Sequence, residues 1–226
     1  MGLTASDKGG ASYPPMPAGL KLAICYGLYD LGHHYDEKYD KTNQECTILW
    51  EVPSERIEID DKETGAKKNL PRAISQTYNV TLGEKANLRK MLESWRGKGF
   101  TAEELKAFDI KNILGQPCQL QIVHKLSKDG TKTYANIASI VQAQNQPEVV
   151  TAENNLQYFS FEDKMEIPEY TPKWIREKIE RSDEYRHLNN AANIHPPINE
   201  PPPPSDVSGI ITDEMPPPVD EDPLPF

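Results

Sequence analysis

The last forty residues limit what the rest of the chain must fold into. From His187 to Phe226 the sequence has seven acidic residues and no Lys or Arg, and 11 of the 31 residues from Pro196 onward are proline. Such a segment buries too little apolar surface to offset its ordering entropy, and its prolines lack backbone donors. We therefore predict a disordered, acidic, Pro-rich tail over 187–226, and a fold formed by the residues before it.

The charge of the chain is divided between these two parts. The formal net charge is -10, which taken alone argues against a nucleic-acid partner. Residues 1–150, however, carry 19 basic and 19 acidic side chains, whereas residues 151–226 carry 6 and 16. The negative balance therefore belongs to the last third of the chain. The neutral body of about 150 residues has the usual size of one domain.

The pattern of apolar residues predicts a mainly β body with short helices. Leu20, Leu22 and Ile24 alternate as in a half-buried strand, and Gly27 and Gly32 indicate bulges that would curl a sheet towards a barrel. Further β-type runs occupy residues 46–53, 56–60, 72–82, 118–127 and 131–143, the first of them ending at a proline. Four or five strands are expected, in a small α+β or partly closed barrel architecture.

Three local signals predict where helices and a hairpin lie. Apolar residues from Leu88 to Trp95 recur at helical spacing, and Gly97 provides a stop. Thr101 with Glu104 forms a capping-box pattern that opens a second short helix. The dipeptide Asp129–Gly130 between two alternating runs is typical of a β-hairpin. The helices are therefore expected between the middle strands and the last hairpin.

The chain divides into four predicted segments. They are an irregular lead-in (1–17), the folded body (18–150), a connector (151–186) and the tail (187–226). In the connector, Pro172 stands near a helix start and Trp174, Ile175 and Ile179 lie on one side of that helix. We expect this helix to pack on the body, with an isolated amphipathic piece of linker as the alternative.

No motif in the sequence indicates catalysis, a metal or a cofactor. Cys25, Cys46 and Cys118 are odd in number and lack metal-ligand spacing, so we expect buried, reduced thiols. His33 and His34 are adjacent, and neighbouring strand residues point to opposite faces, which keeps both rings out of one metal site. Phosphate-loop, zincin and hydrolase motifs are absent, as are a signal peptide and any run of 18 apolar residues. We expect a soluble, cytoplasmic, non-enzymatic protein that binds no cofactor and no membrane.

A basic segment interleaved with aromatic residues suggests a nucleic-acid partner. Residues 62–98 contain nine basic and three acidic side chains, a local net charge of +6, and the last hairpin repeats the mixture. Cations neutralise phosphates and aromatic faces stack on bases. The candidate phosphate contacts are Lys67, Lys68, Arg72, Arg89, Lys90, Arg96, Lys98, Lys125 and Lys132, and the candidate stacking residues are Trp50, Tyr78, Trp95 and Tyr134. As the alternative, Lys67 and Lys68 belong to a solvated loop and Trp95 to the core.

The end of the tail has the features of a peptide that a partner protein binds. Three acidic residues precede an apolar residue, a proline and a terminal Phe that carries the α-carboxylate. An apolar pocket with a basic rim would accept such a tip, and its acidic residues would steer it there. The predicted partner-binding residues are Asp220, Glu221, Asp222, Pro223, Leu224, Pro225 and Phe226. The alternative is a merely solubilising tail.

Two groups of motifs carry a resemblance to known proteins. The closing DEDPLPF resembles the acidic tip of bacterial single-stranded-DNA-binding proteins. The body resembles bacteriophage single-stranded-DNA-binding proteins in the segments YPPMPAGLKLAICYGLYDLG, ILWEVP, WRGKGF, LGQPCQLQIVHK and YANIASI. The resemblance implies an OB-fold-like, partly closed five-stranded barrel that coats single-stranded DNA in replication and recombination, in the bacterial host cytoplasm if the protein is phage-encoded.

The same resemblance implies that the tip docks helicases, nucleases or primases. The first strands and the helical residues 84–107 depart from the bacterial proteins, so tetrameric assembly is not implied. The predicted function is sequence-tolerant binding of single-stranded DNA, and the tail is expected to compete with DNA for the basic groove. The alternatives are a replication adaptor that binds proteins only, and a nuclease accessory or recombinase.

Overall fold

The computed structural model describes residues 14–60, 65–144, 150–163 and 166–194, with side chains up to Leu188. Most of the predicted lead-in and tail, including the tip at 220–226, lies outside these residues. The four residues 14–17 have no regular secondary structure, but Met16 is buried in the core.

Six strands of the described residues form one sheet, which makes the body mainly β as predicted. The strands are β1 (Gly19–Asp36), β2 (Lys41–Asp60), β3 (Lys67–Asn79), β4 (Pro117–Leu126), β5 (Thr133–Gln142) and β6 (Gln157–Phe159). The helices are α1 (Asn87–Arg96), α2 (Ala102–Lys106), α3 (Lys173–Ile179) and α4 (Asp183–Ile194), with one 3₁₀ turn at Ile110–Ile113. The short strand β6 was not among the predicted elements.

The long strand β1 lies at the centre of the sheet and pairs with both halves. Its first residues pair with β4, from Gly19 opposite Ile122 to Ile24 opposite Pro117, and the rest pairs with β2. The order is β3-β2-β1-β4-β5 with antiparallel neighbours, and β6 runs parallel to β1. Among the described residues no ladder joins the edge strands β3 and β5, so the sheet is not closed.

Glycine and proline residues mark the irregularities in strand pairing. The β1–β2 register shifts between Cys25 and Gly27 and again between Asp30 and Gly32, which confirms the predicted bulges. The run predicted to end at Pro53 instead continues, because β2 extends to Asp60. Pairing with β3 is interrupted just after Val52, where proline offers no N–H to a ladder.

The helical and hairpin signals are confirmed. In α1, Leu88, Met91, Leu92 and Trp95 are buried, and Gly97 closes the helix with φ 68°. The capping box at the start of α2 is complete. The Thr101 side chain accepts a hydrogen bond from the Glu104 N–H, and the Glu104 side chain accepts one from the Thr101 N–H. The Asp129–Gly130 turn joins β4 to β5. These elements depend on neighbours in sequence, which is why the sequence predicts them.

Two hydrophobic clusters lie on opposite faces of the sheet. The larger one includes Ile48 and Trp50 of β2 together with α1. Leu49, which points the other way, belongs to a second cluster with Tyr29 of β1 and with Phe159, Ile175 and Ile179 of the C-terminal segment. Residues 150–188 are therefore not a simple connector, because they cover the outer face of β1 and β2.

The packing of α3 on the body is confirmed, with one correction. Ile175 and Ile179 are buried in the second cluster, whereas Trp174, predicted on the same side, is 47% exposed. The boundary of the tail at 187 is also wrong, since α4 continues to Ile194. No proline occurs between Pro172 and Pro196, so nothing in the backbone stops the helix at 187.

A buried carboxylate on the sheet accepts hydrogen bonds from the C-terminal segment. Glu51 of β2 is fully buried, and its oxygens accept hydrogen bonds from the backbone N–H groups of Glu153 (2.6 Å) and Asn154 (2.9 Å). The Asn154 side chain donates a third, at 2.6 Å. Burial, and then the negative charge of Glu51, raise the pKa of Tyr26 to about 12.

The three cysteines are buried and unpaired, as the sequence predicted. Burial raises the pKa of Cys25 and Cys118, and burial with the nearby Asp30 and Glu45 carboxylates raises that of Cys46 to about 12. No helix within the described ranges is long and apolar enough to cross a membrane.

Candidate nucleic-acid interface

The edges of β3 and β5 face each other across an open cleft. A cavity of about 480 Å³ is lined by residues 72–74 of β3, residues 131–135 at the β4–β5 turn and Pro14 to Met16. A second, of about 290 Å³, follows along Gln76 and Tyr78 of β3, residues 137–140 of β5 and one side of α1. A third, of about 370 Å³, continues past Asn79 to the start of α1. We call these three cavities together the β3–β5 cleft.

Four cationic side chains line the β3–β5 cleft. Arg72 and Lys132 lie in the first cavity, Lys90 in the second and Lys85 in the third. The described lining of these cavities contains no Asp or Glu. With no opposing charge among these described residues, the cleft lining is positive, and a positive surface attracts a phosphate chain.

Three of these cations form no ion pair with a carboxylate of the described residues. No carboxylate of the described residues lies within 4.0 Å of the ammonium groups of Lys85, Lys90 or Lys132. Arg72 donates a hydrogen bond from Nη2 to the carbonyl oxygen of Pro14. That bond holds the guanidinium at the wall of the first cavity and leaves its charge uncompensated.

One of the predicted stacking residues is accessible in the cleft. Tyr134 lines the first cavity and is 53% exposed. It pairs across the β4–β5 ladder with Lys125, so the two side chains lie on the same face of the hairpin. An aromatic ring next to an ammonium group can stack on a base while the cation contacts its phosphate.

The other three predicted stacking residues are core residues, which corrects the prediction. Trp50 is 0% exposed, and Trp95 packs against it with ring centroids 5.9 Å apart. Trp95 donates its indole N–H to the carbonyl oxygen of Pro117 at 2.9 Å. Tyr78 borders two cavities of the cleft but is only 6% exposed and belongs to the same cluster, and burial raises its pKa. No base can reach the faces of these rings in this conformation.

Two predicted phosphate contacts are engaged within the protein. Arg89 forms an ion pair with Glu93 one turn along α1, at 2.9 Å. Arg96 forms an ion pair with Glu104, and its guanidinium lies 4.4 Å from the ring centroid of Phe100. Both arginines therefore stabilise the α1–α2 region and are not placed in the cleft.

The remaining predicted cations are exposed but lie outside the cleft lining. Lys67 and Lys68 are at the far end of the β2–β3 hairpin, where Lys67 is 3.7 Å from Glu58. Lys98 follows α1, and Lys125 is on the β4–β5 hairpin. The structure thus brings together Arg72, Lys90, Lys132 and Tyr134 from the predicted set.

The sequence prediction missed one member of the cleft and several accessible rings. Lys85 lies in the basic segment but was not among the predicted contacts, because nothing in its spacing distinguishes it from a solvated lysine. Tyr35 is exposed near the end of β1, Tyr39 is exposed in the polar β1–β2 turn, and Tyr170 is exposed near α3. The turn composition around Tyr39 would have signalled its exposure.

Comparison with known proteins does not identify the chain. No family model, no curated protein and no solved structure matches it. The assignment of a function therefore depends on the geometry and charge of the β3–β5 cleft.

Proposed function

We propose that this chain binds single-stranded DNA without sequence specificity, through the β3–β5 cleft, and is not an enzyme. The observation that carries the proposal is a cleft lined by four cations and an exposed tyrosine, with no carboxylate among its described lining residues. Arg72, Lys85, Lys90 and Lys132 would neutralise successive phosphates, and Tyr134 would stack on a base.

The order of the strands supports an OB-fold-like barrel as the scaffold. An OB-fold is a five-stranded, partly open Greek-key barrel. Here β1 pairs with both β2 and β4, α1 lies between β3 and β4, and the edge strands face each other across the cleft. We propose that the opening between β3 and β5 is the gap of such a barrel.

The packing of the C-terminal segment favours the cleft over the sheet face as the binding surface. Residues 150–188 bury Tyr29, Leu31 and Leu49 on the outer face of β1 and β2. A nucleic acid could reach that face only by displacing a buried cluster and the hydrogen bonds to Glu51. The cleft needs no such rearrangement.

Single strands are favoured over duplexes because of the tyrosine. A ring such as that of Tyr134 can stack only on a base whose face is uncovered, and in a duplex neighbouring base pairs cover both faces. The base identity matters little to stacking, which supports binding without sequence preference.

The second part of the proposal concerns recruitment of enzymes in phage DNA replication and recombination. It depends on the sequence of the tip, Asp220 to Phe226, which lies outside the described residues. The acidic residues would approach a basic rim, and Leu224 and Phe226 would enter an apolar pocket of the partner enzyme.

Fluorescence anisotropy with labelled oligo(dT) and a matched duplex tests the DNA proposal. Four phosphate contacts predict that log K falls with log[salt] with a slope of about -3 for single strands, and each Lys85→Ala, Lys90→Ala or Lys132→Ala change should lower its magnitude by about 0.7. Tyr134→Ala should weaken binding by about 1 to 3 kcal/mol.

Lys98→Ala serves as the matched control, because it removes an exposed lysine that lies outside the cleft. It should change the salt slope far less than Lys90→Ala. Equal affinity for duplex and oligo(dT), or no binding of oligo(dT) at low salt, would contradict the proposal, and the second result would favour an adaptor that binds proteins only.

A further inference from the structure

A cavity of opposite character shares none of its lining residues with the β3–β5 cleft. It has a volume of about 500 Å³ and is bounded by β1, β2, β6 and residues 107–111. Its floor is apolar, with Leu28, Phe108 and Phe159 among the lining residues. A cavity of this size and composition can accept an aliphatic side chain.

The rim of this cavity is negatively charged. Asp30, Asp109 and Glu162 line it, and among its described lining residues Lys111 has the one ammonium group. That lysine is itself 3.7 Å from the carboxylate of Asp163, which lies just beside the cavity. We call this cavity the acidic pocket. An apolar floor with an acidic rim selects an occupant that carries an apolar side chain between positive charges.

The β4–β5 hairpin of the same chain presents such a side chain. Leu126, the last residue of β4, is 69% exposed. Lys125 precedes it and Lys128 follows two residues later, both exposed. We call residues 125–128 the hairpin tip.

The one carboxylate of this turn, Asp129, is exposed next to Lys128 and is hydrogen-bonded within the turn. Asp129 accepts hydrogen bonds from the Ser127 hydroxyl and from the Thr131 hydroxyl at 2.8 Å, so it is directed back into the turn. These bonds lower the pKa of Asp129 to about 2.

We propose that the hairpin tip of one copy docks into the acidic pocket of a second copy. Leu126 would enter the apolar floor, while Lys128 in the turn would face Asp109 and Glu162. The acidic tail is excluded as the occupant, because residues 187–226 carry the same sign of charge as the pocket rim.

The positions of the two surfaces make the contact head-to-tail. The hairpin tip lies beyond the Gly19 end of β1, because Gly19 pairs with Ile122. The acidic pocket uses Leu28 and Asp30, about 35 Å further along the same strand at about 3.3 Å per residue. One molecule therefore cannot close the contact on itself, and copies that add head-to-tail form an open chain unless the rotation between them closes a ring. The proposal does not require DNA, although such a chain of copies would suit a long single strand.

Sedimentation velocity of the full chain without DNA tests the proposal. The wild type should associate with increasing concentration, and Leu126→Asp or Glu162→Lys should each weaken that association by about tenfold or more. A 1:1 mixture of Lys128→Glu with Glu162→Lys should associate more tightly than either variant alone. In the mixture, the altered tip of the first variant meets a pocket of opposite charge in the second, and the native tip of the second meets the native pocket of the first. Lys38→Glu, in the β1–β2 turn, is the charge-matched control and should behave as the wild type.

Several results would overturn the proposal. They are a wild type that stays monomeric, variants that associate as the wild type does, or a mixture that associates no better than its components. Leu126 and Glu162 are not in the lining of the β3–β5 cleft. Leu126→Ser also removes the docking side chain but, unlike Leu126→Asp, adds no charge opposite Thr133 of the cleft. Binding of an oligo(dT) that accommodates one copy should therefore be unchanged in Leu126→Ser, which separates failure of this proposal from failure of DNA binding.

Discussion

At the scale of single residues, burial separates side chains of the same type into different roles. Trp50 and Trp95 fill the core, whereas Tyr134, on an edge strand, is accessible. Arg89 is neutralised by Glu93, but Lys90, the next residue, faces the cleft without a carboxylate partner in the described chain. Composition does not distinguish a buried or ion-paired side chain from an accessible one. The basic segment can therefore be predicted from the sequence, but the members of the site cannot.

Glu51 gives the clearest prediction at this scale. Glu51→Ala would leave the N–H groups of Glu153 and Asn154 without their acceptor, so we expect a loss of about 2 to 4 kcal/mol in the free energy of unfolding. Urea denaturation followed by circular dichroism measures it. Glu58→Ala, at an exposed position of the same strand, should cost less than about 0.5 kcal/mol. Equal losses in the two variants would show that the buried hydrogen bonds contribute nothing special.

At the scale of elements, the sequence predicts what local interactions determine. The stop at Gly97, the capping box at Thr101 and the turn at Asp129 each involve residues within a few positions of one another. The Arg89–Glu93 pair could also have been read from its helical spacing. The pairing of β6 with β1 and the alignment of β3 with β5 depend on contacts between distant residues, which no local pattern encodes. The cleft could not be predicted for the same reason.

The attachment of α4 to β1 depends on a contact that should respond to acid. The carboxylate of Glu184 accepts a hydrogen bond from the backbone N–H of His33 at 2.7 Å and also contacts the His33 ring. Burial opposes ionisation of this carboxyl most strongly, yet the hydrogen bonds from the His33 ring and backbone hold the pKa of Glu184 below its usual value.

Glu184→Gln tests this contact. A lowered carboxyl pKa stabilises the fold above the unfolded-state pKa of about 4.3, and the stabilisation disappears as the pH falls through the lower folded-state value. The wild type should therefore exceed Glu184→Gln by about 1 kcal/mol at pH 7, and the two should converge in acid. Denaturation at several pH values measures the difference, and a difference that is the same at every pH would contradict the prediction.

At the scale of the whole molecule, the sheet has one hydrophobic cluster on each face. The first is formed by residues expected to be the body together with Met16 of the predicted lead-in, and the second needs the described part of the segment 150–188. The sequence division at 150 therefore cuts through a packed unit. The sequence of β2 contains a signal for this second cluster. Ile48, Leu49 and Trp50 are three consecutive apolar residues, and such a run is typical of a strand that is buried on both faces.

Truncation tests this dependence with a matched pair of chains. A chain that ends at residue 150 would expose Tyr29, Leu31 and Leu49, whose burial is worth about 1.5 to 3 kcal/mol for each large apolar side chain. Compared with a chain that ends at Ile194, it should lose at least about 4 kcal/mol of stability and bind the dye ANS. Both chains lack residues 195–226, so the difference reports on 151–194 alone. Equal stability would mean that the second cluster is dispensable.

The buried thiols have a practical consequence for all of these measurements. Cys25, Cys46 and Cys118 are enclosed by the fold and have raised pKa values, so at neutral pH they offer maleimides almost no reactive thiolate. A cysteine introduced at an exposed position would then be the preferred attachment point for a fluorophore or a spin label, without removal of any native cysteine. One such label on the hairpin tip and another beside the acidic pocket would turn the distance between neighbouring copies into an optical signal.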